Sequence, residues 1–296
     1  MFLPTMEVTV TPRPEGEPYN VQMSQSLLDI LALIFEFKIV AGWHLARFIS
    51  QKDKNKYLQL KLRRMWQAGL LESLQIYAGT RLGMPIYYML SKLGLQTLAE
   101  QAHYDKIRLK GYPTPASFIS SGLFKHDAQI VELASLEAMN RTERLNITFT
   151  GETGSLTREN RSDKNIEVLT PDYIADYVFN GVTERVYTEF ERTNKSASAM
   201  IRKIERYRQY FWPGEEEHKT LRLVFQTSRM EESFWLNILV NKPALLQRLR
   251  VVTTNIILLE TQKQSLEPVY AMESGVKLKR EGRLIVEISE RIKLFP

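Results

Sequence analysis

An Asn180-Gly181 pair sits between two β-type runs, VLTPDYIADYVF before it and ERVYTEFER after it. Asn-Gly accepts positive φ at both central positions of a tight turn, and the twist of that turn matches the twist of paired strands. The two runs are therefore expected to form one antiparallel hairpin. Side chains alternate along a strand, so Glu189 and Glu191 share a face of the second run. Asp172, near the start of the first run, is expected opposite them, so that three carboxylates converge near one end of one sheet.

The neighbouring segments extend this sheet. Residues 123–140 have helical periodicity, LNITFTGE (145–152) alternates as a strand, and residues 154–165 read as a polar loop. SASAMIRKIERYRQYF (196–211) reads as a helix and LRLVFQTS (221–228) as a strand, giving the order αβββαβ. The tail adds a helix near 231–248, a strand at NIILLE (255–260), and a last pair at PVYAME and LIVEISE.

Upstream the rhythm differs. Residues 24–40, 41–50 and 55–71 read as three helices, followed by LESLQIYAG and PIYYMLS around the turn-rich GTRLGM, and by the helical SKLGLQTLAEQA. Three helices, a hairpin and a helix form the order of a winged helix-turn-helix. The expected fold class is mixed α+β / α/β. It comprises a flexible arm (1–20, with four prolines), a winged helix (21–110), a linker (111–122) and an αβββαβ domain (123–296).

Charge singles out the third helix. Between residues 47 and 64 lie Arg47, Lys52, Lys54, Lys56, Lys61, Arg63 and Arg64, against Asp53 alone. This local excess equals the net +6 of the whole chain. It runs into the third helix, the one that enters the major groove in a winged helix, which points to double-stranded DNA as the partner. A solvated basic face, or a winged helix used for protein contact, is the competing reading.

Several chemistries drop out. With no cysteine there is no disulfide framework, thiolate-bound zinc or Cys nucleophile. His44, His103, His126 and His218 are too scattered for a His-pair metal motif. The longest apolar run, residues 27–35, contains Asp29 and is too short to span a bilayer. With no secretory leader pattern at the start, a cytoplasmic protein without membrane partners is expected.

Pro171-Asp172 with Glu189-Phe190-Glu191, in this order of elements, resembles the PD-(D/E)xK nucleases and their restriction-endonuclease-like core. More closely, TPDYIADYVFNG through VYTEFERTNKSASAMIRKIERYRQYF, with KHDAQIVEL (125–133) upstream, resembles the replication-relaxation family of plasmid and conjugative-element proteins. That resemblance implies a winged helix joined to a nuclease-like domain, acting in plasmid relaxation, mobilisation or replication alongside other relaxosome or replication proteins.

The chemistry implied is metal-dependent nicking. Mg²⁺ (or Mn²⁺) is satisfied by one or two carboxylates plus water and phosphate. Asp172 and Glu189 are the expected ligands, with Glu132 adding a third from the preceding helix, and Glu191 as a further catalytic carboxylate. The motif's usual lysine is replaced here by Glu191. Lys203 on the following helix is the expected substitute, with Arg206 second. Arg202 and Arg206 are also expected on the DNA backbone.

Each assignment has a plainer counterpart. Glu189 and Glu191 also suit a solvated edge strand, Asp172 a turn after proline, and His126-Asp127 a helix cap. Tyr207 or Tyr210 as a nucleophile is a further alternative. Two other functions stay open: a non-enzymatic DNA-binding accessory factor, and a transcriptional regulator with a ligand-sensing or dimerising C-terminal domain.

Overall fold

The computed structural model describes residues 7–13, 21–77, 85–101, 111–152, 169–193, 195–211, 218–241, 243–246, 249–255, 269–271, 276–281, 283–288 and 292–293. The turn-rich 79–84, the polar loop 154–165 and most of the NIILLE strand fall outside these residues. The chain divides into two compact units, Met1–Met139 and Asn140–Pro296. Their architecture is mixed α+β, as expected, with eight helices among the described residues.

In the first unit, β1 (Glu7–Thr11) precedes α1 (Gln25–Phe37), β2 (Val40–Ala41), α2 (Gly42–Ser50), α3 (Lys56–Gln67), β3 (Leu71–Tyr77), β4 (Ile86–Leu90) and α4 (Lys92–Gln101). α1 buries Leu27, Ile30, Leu31, Ile34 and Phe35, an i, i+3, i+4, i+7 stripe. α3 starts where Asn55 Oδ1 accepts the Leu58 amide at 3.0 Å, and it buries Leu58, Leu62 and Met65. The strands form an antiparallel sheet in the order β1-β3-β4-β2. At Gly94 in α4, an added Cβ would lie 2.1 Å from the Leu70 carbonyl oxygen, so only glycine allows that approach.

Two expectations change here. Residues 7–11 are not a flexible arm; they pair with β3 from Glu7↔Tyr77 to Thr11↔Ser73. The β-branched alternation of Val8, Thr9, Val10 and Thr11 supplies a strand that the surrounding prolines masked. The expected linker contains a helix, α5 (Pro115–Ser120), with Thr114 as its cap and proline in its first turn. The next helix, α6 (Phe124–Ala138), packs against α2, and the division between units falls after it rather than before it.

The second unit is built on five strands: β5 (Leu145–Gly151), β6 (Tyr173–Phe179), β7 (Val182–Glu191), β8 (His218–Phe225) and β9 (Arg250–Asn255), adjacent in that order. β5, β6 and β7 are antiparallel. β7, β8 and β9 are parallel, which requires crossovers; α7 (Ala197–Phe211) and α8 (Ser228–Asn241) supply them. Asn180 and Gly181 have φ of 50° and 83°, as the two-residue turn demands. The core beneath α7 and α8 joins Tyr187, Ile204, Tyr207, Leu221, Leu223 and Trp235.

The tail pairs differently from expectation. β10 (Val269–Tyr270) pairs with β13 (Ile292–Lys293), while β11 (Val276–Glu281) and β12 (Arg283–Ile288) form their own hairpin. Alternation predicts strands there but does not choose their partners.

Candidate active site

The hairpin register carries Asp172 to the open end of β7. Tyr173 pairs with Thr188, and one residue earlier the Asp172 amide donates to the Thr188 carbonyl at 2.9 Å. The Asp172 side chain then reaches along β7, where its Oδ2 accepts the Phe190 amide at 2.6 Å. Asp172 is thus more than a turn residue after proline: it fastens the β6 entry to β7.

Glu189 and Glu191, two residues apart, both meet α7. Lys203 Nζ lies 2.6 Å from Glu189 Oε2 and 2.6 Å from Glu191 Oε1, bridging them. One turn along the helix, the Tyr207 hydroxyl donates to Glu189 Oε1 at 2.7 Å. Lys195 Nζ stands 2.7 Å from Glu191 Oε2. Neither glutamate is a solvated edge acid: Glu189 is 9% exposed and Glu191 1%.

The electrostatics follow from this crowding. Burial pushes the Glu189 carboxyl above the ordinary carboxylate range; Lys203 opposes that shift and the Asp172 charge adds to it. Burial alone would lower the Lys203 ammonium, but Glu189 and Glu191 outweigh it and the net shift is upward. Burial, then the Glu189 charge, raises the Tyr207 hydroxyl well above its usual value. These directions agree: Glu189 and Glu191 share Lys203, and the Asp172 charge acts on Glu189 and Tyr207, so Glu189, Lys203 and Tyr207 all hold their protons more tightly than usual. The same surplus of buried negative charge favours a cation.

The residues present therefore suit a hard divalent ion in donor chemistry, with two protein carboxylates. Among the described residues no group of three or more His, Asp or Glu side chains stands at metal-ligand spacing. Glu132 belongs to the first unit, where it has other work. Its Oε2 accepts from His44 Nε2 at 2.9 Å and Trp43 Nε1 at 3.1 Å, and Arg47 Nη1 is 3.0 Å from its Oε1. Burial would raise the Glu132 pKa, yet His44 and Arg47 hold it well below the ordinary range. Because the Ala41 amide donates to His44 Nδ1, the hydrogen on Nε2 is the one aimed at Glu132.

The basic residues separate into two kinds. Lys52, Lys54, Lys56, Arg63 and Arg64 are exposed, and Lys61 is half-buried with its Nζ 2.9 Å from Ser26 Oγ. Arg47 instead spends its guanidinium on Asp53 at 2.6 Å and on Glu132. On α7, Arg202 and Arg206 lie away from buried Ile204 and Tyr207, and both are exposed. Tyr210 packs edge-on against Tyr187, with Lys219 over its ring at 5.7 Å. His126 and Asp127 lie in the first turn of α6, and Lys38 Nζ is 4.0 Å from Asp127 Oδ2.

Sequence reasoning missed Tyr207 as a support for Glu189, although its i+4 spacing from Lys203 was a signal. It also missed Arg222, wholly buried, whose Nη2 bonds Tyr173 OH at 2.5 Å and Thr188 Oγ1 at 2.6 Å on the opposite sheet face. Nothing in the local pattern marked that arginine as interior.

A family model described as "Replication-relaxation" matches residues 31–223. No curated protein and no solved structure matches the chain.

Proposed function

The chain belongs to the replication-relaxation family, and from that premise we propose that it is a DNA-binding protein of a mobile element that nicks DNA with Mg²⁺ or Mn²⁺ during plasmid relaxation, mobilisation or replication. The observation that carries this reading is the meeting of Asp172, Glu189 and Lys203 at one end of the β6–β7 hairpin. In this reading the first unit is a winged helix whose α3 lies in the major groove, and the second is a restriction-endonuclease-like domain. The helix–sheet order and the exposed cations of α3 support the first part. The β-β-β-α-β order, with its carboxylates at a strand end, supports the second.

Asp172 and Glu189 would hold the metal, leaving its other positions to water and phosphate. The metal would polarise the phosphate and lower the pKa of a bound water. The chain's own residues do the positioning. Tyr207 fixes Glu189 Oε1, and Oε2, which faces Lys203, would be the oxygen offered to the ion. Lys203, held also by Glu191, would supply a cation beside the charge developing on the phosphate. Arg202 and Arg206 offer phosphate contacts from the outer side of α7. Glu132 takes no part, being engaged by His44 and Arg47.

A second reading, a non-enzymatic DNA-binding accessory factor, is favoured by one observation: Glu191 is 1% exposed and ion-paired with both Lys195 and Lys203. Here the cluster is an internal ion network. Supercoiled-plasmid nicking with Mg²⁺ or Mn²⁺, with and without chelator, separates the two. Asp172→Asn and Glu189→Gln are each expected to abolish nicking while DNA binding and folding survive. Nicking that persists in both variants removes the carboxylate site, and no nicking by the unmodified chain with either metal leaves the accessory factor.

A further inference from the structure

α3, with the sequence KYLQLKLRRMWQ, contains no acidic residue. With Leu58, Leu62 and Met65 turned into the core, the 100° step per residue gathers Tyr57, Leu60, Lys61 and Arg64 on a second stripe. Two of these four are not cations, yet they stand in water: Tyr57 is 67% exposed and Leu60 45%. They border a groove of about 410 Å³ whose other wall is the segment entering α1 and its first turn, including Gln22, Ser26 and Leu27.

This face is stiffened before any partner arrives. Lys61 Nζ donates to Ser26 Oγ at 2.9 Å and lies 4.8 Å from the centre of the Tyr57 ring. That ties α3 to the start of α1 and holds the Tyr57 ring beside Leu60. Exposed Lys56 and Arg63 flank the stripe along the neighbouring ridge of the helix. A polyanion is the occupant that such charge selects. Phosphate contacts place a protein on duplex DNA without reading sequence, whereas apolar side chains recognise the C5-methyl group of thymine in the major groove.

We infer that the Tyr57–Leu60 face of α3 reads thymine methyl groups in the major groove of duplex DNA, with Leu60 as the contact and Lys61 and Tyr57 as its fixed surround. This rests on the DNA-binding reading of α3. It adds that binding has a thymine-dependent sequence preference, and that this preference is separable from the phosphate contacts of Lys56, Arg63 and Arg64. Leu60 is exposed and outside the core, so its replacement leaves the fold in place.

The test begins with duplexes enriched from a random library on the full chain. Thymines of the enriched site are then replaced one at a time by deoxyuridine, which removes only the methyl. Each contacted methyl is expected to be worth about fourfold in affinity to the unmodified chain. Leu60→Ala is expected to bind the thymine duplex more weakly and to discriminate thymine from deoxyuridine by less than about twofold, with unchanged salt dependence. Equal discrimination in the unmodified chain and Leu60→Ala overturns the inference, and so does sequence-specific binding indifferent to every thymine methyl. Salt-dependent binding without any enriched sequence overturns it as well, while leaving the DNA-binding reading intact. No binding to any duplex removes both.

Discussion

Replacing Lys203 by methionine keeps most of the side-chain volume and removes the ammonium that bridges Glu189 and Glu191. Breaking a buried ion pair from one side costs about 3–5 kcal/mol, because a carboxylate is left uncompensated. Two interactions soften that loss. Lys195 still reaches Glu191 at 2.7 Å, and Tyr207 still donates to Glu189 Oε1 at 2.7 Å. The lower end of the range, about 3 kcal/mol, is therefore expected at pH 8. With a urea slope of about 2 kcal/mol/M, the unfolding midpoint falls by about 1.5 M.

The pH dependence has a definite sign. Without Lys203, Glu189 keeps burial and the Asp172 charge, which raise its pKa, and is deprived of the ammonium that lowered it. A carboxyl raised in the folded state contributes stability below its unfolded value of about 4.3, and that stability fades as pH rises through the folded value. Lys203 in the unmodified chain is raised, so its contribution is full below its unfolded pKa of about 10.4 and disappears only above the folded value. The gap between Lys203→Met and the unmodified chain should be small near pH 5 and widest at pH 8–9. Urea titrations followed by far-UV circular dichroism at the two pH values measure it. Adding Glu189→Gln to Lys203→Met should recover part of the loss at pH 8. A gap under about 1 kcal/mol at pH 8, or one of equal size at pH 5, would refute the buried-cluster electrostatics.

Two further outcomes follow from the first unit. Changing Lys56, Arg63 and Arg64 together to alanine should lower the log–log salt slope of DNA binding by about 0.9 for each phosphate no longer neutralised, read by fluorescence anisotropy across a salt series; an unchanged slope would take α3 out of the interface. Glu132→Gln leaves Arg47 and the Nε2 hydrogen of His44 facing a neutral amide and should cost about 3 kcal/mol at neutral pH. Since Glu132 is held low, that contribution is full above the unfolded value of about 4.3 and disappears as pH falls through the folded one, so acid titration of thermal stability should bring the two proteins together.

The hairpin that frames the site is readable because one dipeptide, Asn180-Gly181, admits few backbone conformations. Helix extents are readable from periodicity, which predicts 196–211 where the helix runs Ala197–Phe211. Lys203 stands out because it lies on the segment following the glutamates, three residues after the core residue Met200 and four before the core residue Tyr207. What periodicity lacks is partner information. The Glu7–Thr11 strand reads as a proline-rich arm because its pairing with β3 is non-local. The partners of Glu132 are hidden for the same reason, since His44 lies 88 residues away and Arg47 belongs, by charge alone, with the DNA-facing cations. The Arg222 side chain is hidden by composition: an arginine in a strand reads as surface until the tyrosine and threonine hydroxyls around it are known.

The short span of the Asp172–Tyr207 segment sets how much chain entropy the cluster consumes. Its hydrogen bonds join residues 18, 14, 12 and 18 positions apart, against 88 for His44 and Glu132. Loop closure grows as (3/2)RT times the logarithm of separation, so a 14-residue loop closes for about 1.6 kcal/mol less than an 88-residue one. The carboxylates, the lysine and the tyrosine thus form a self-contained stretch of polypeptide. Lengthening the chain before Asp172 or after Phe211 adds nothing to the contour between them.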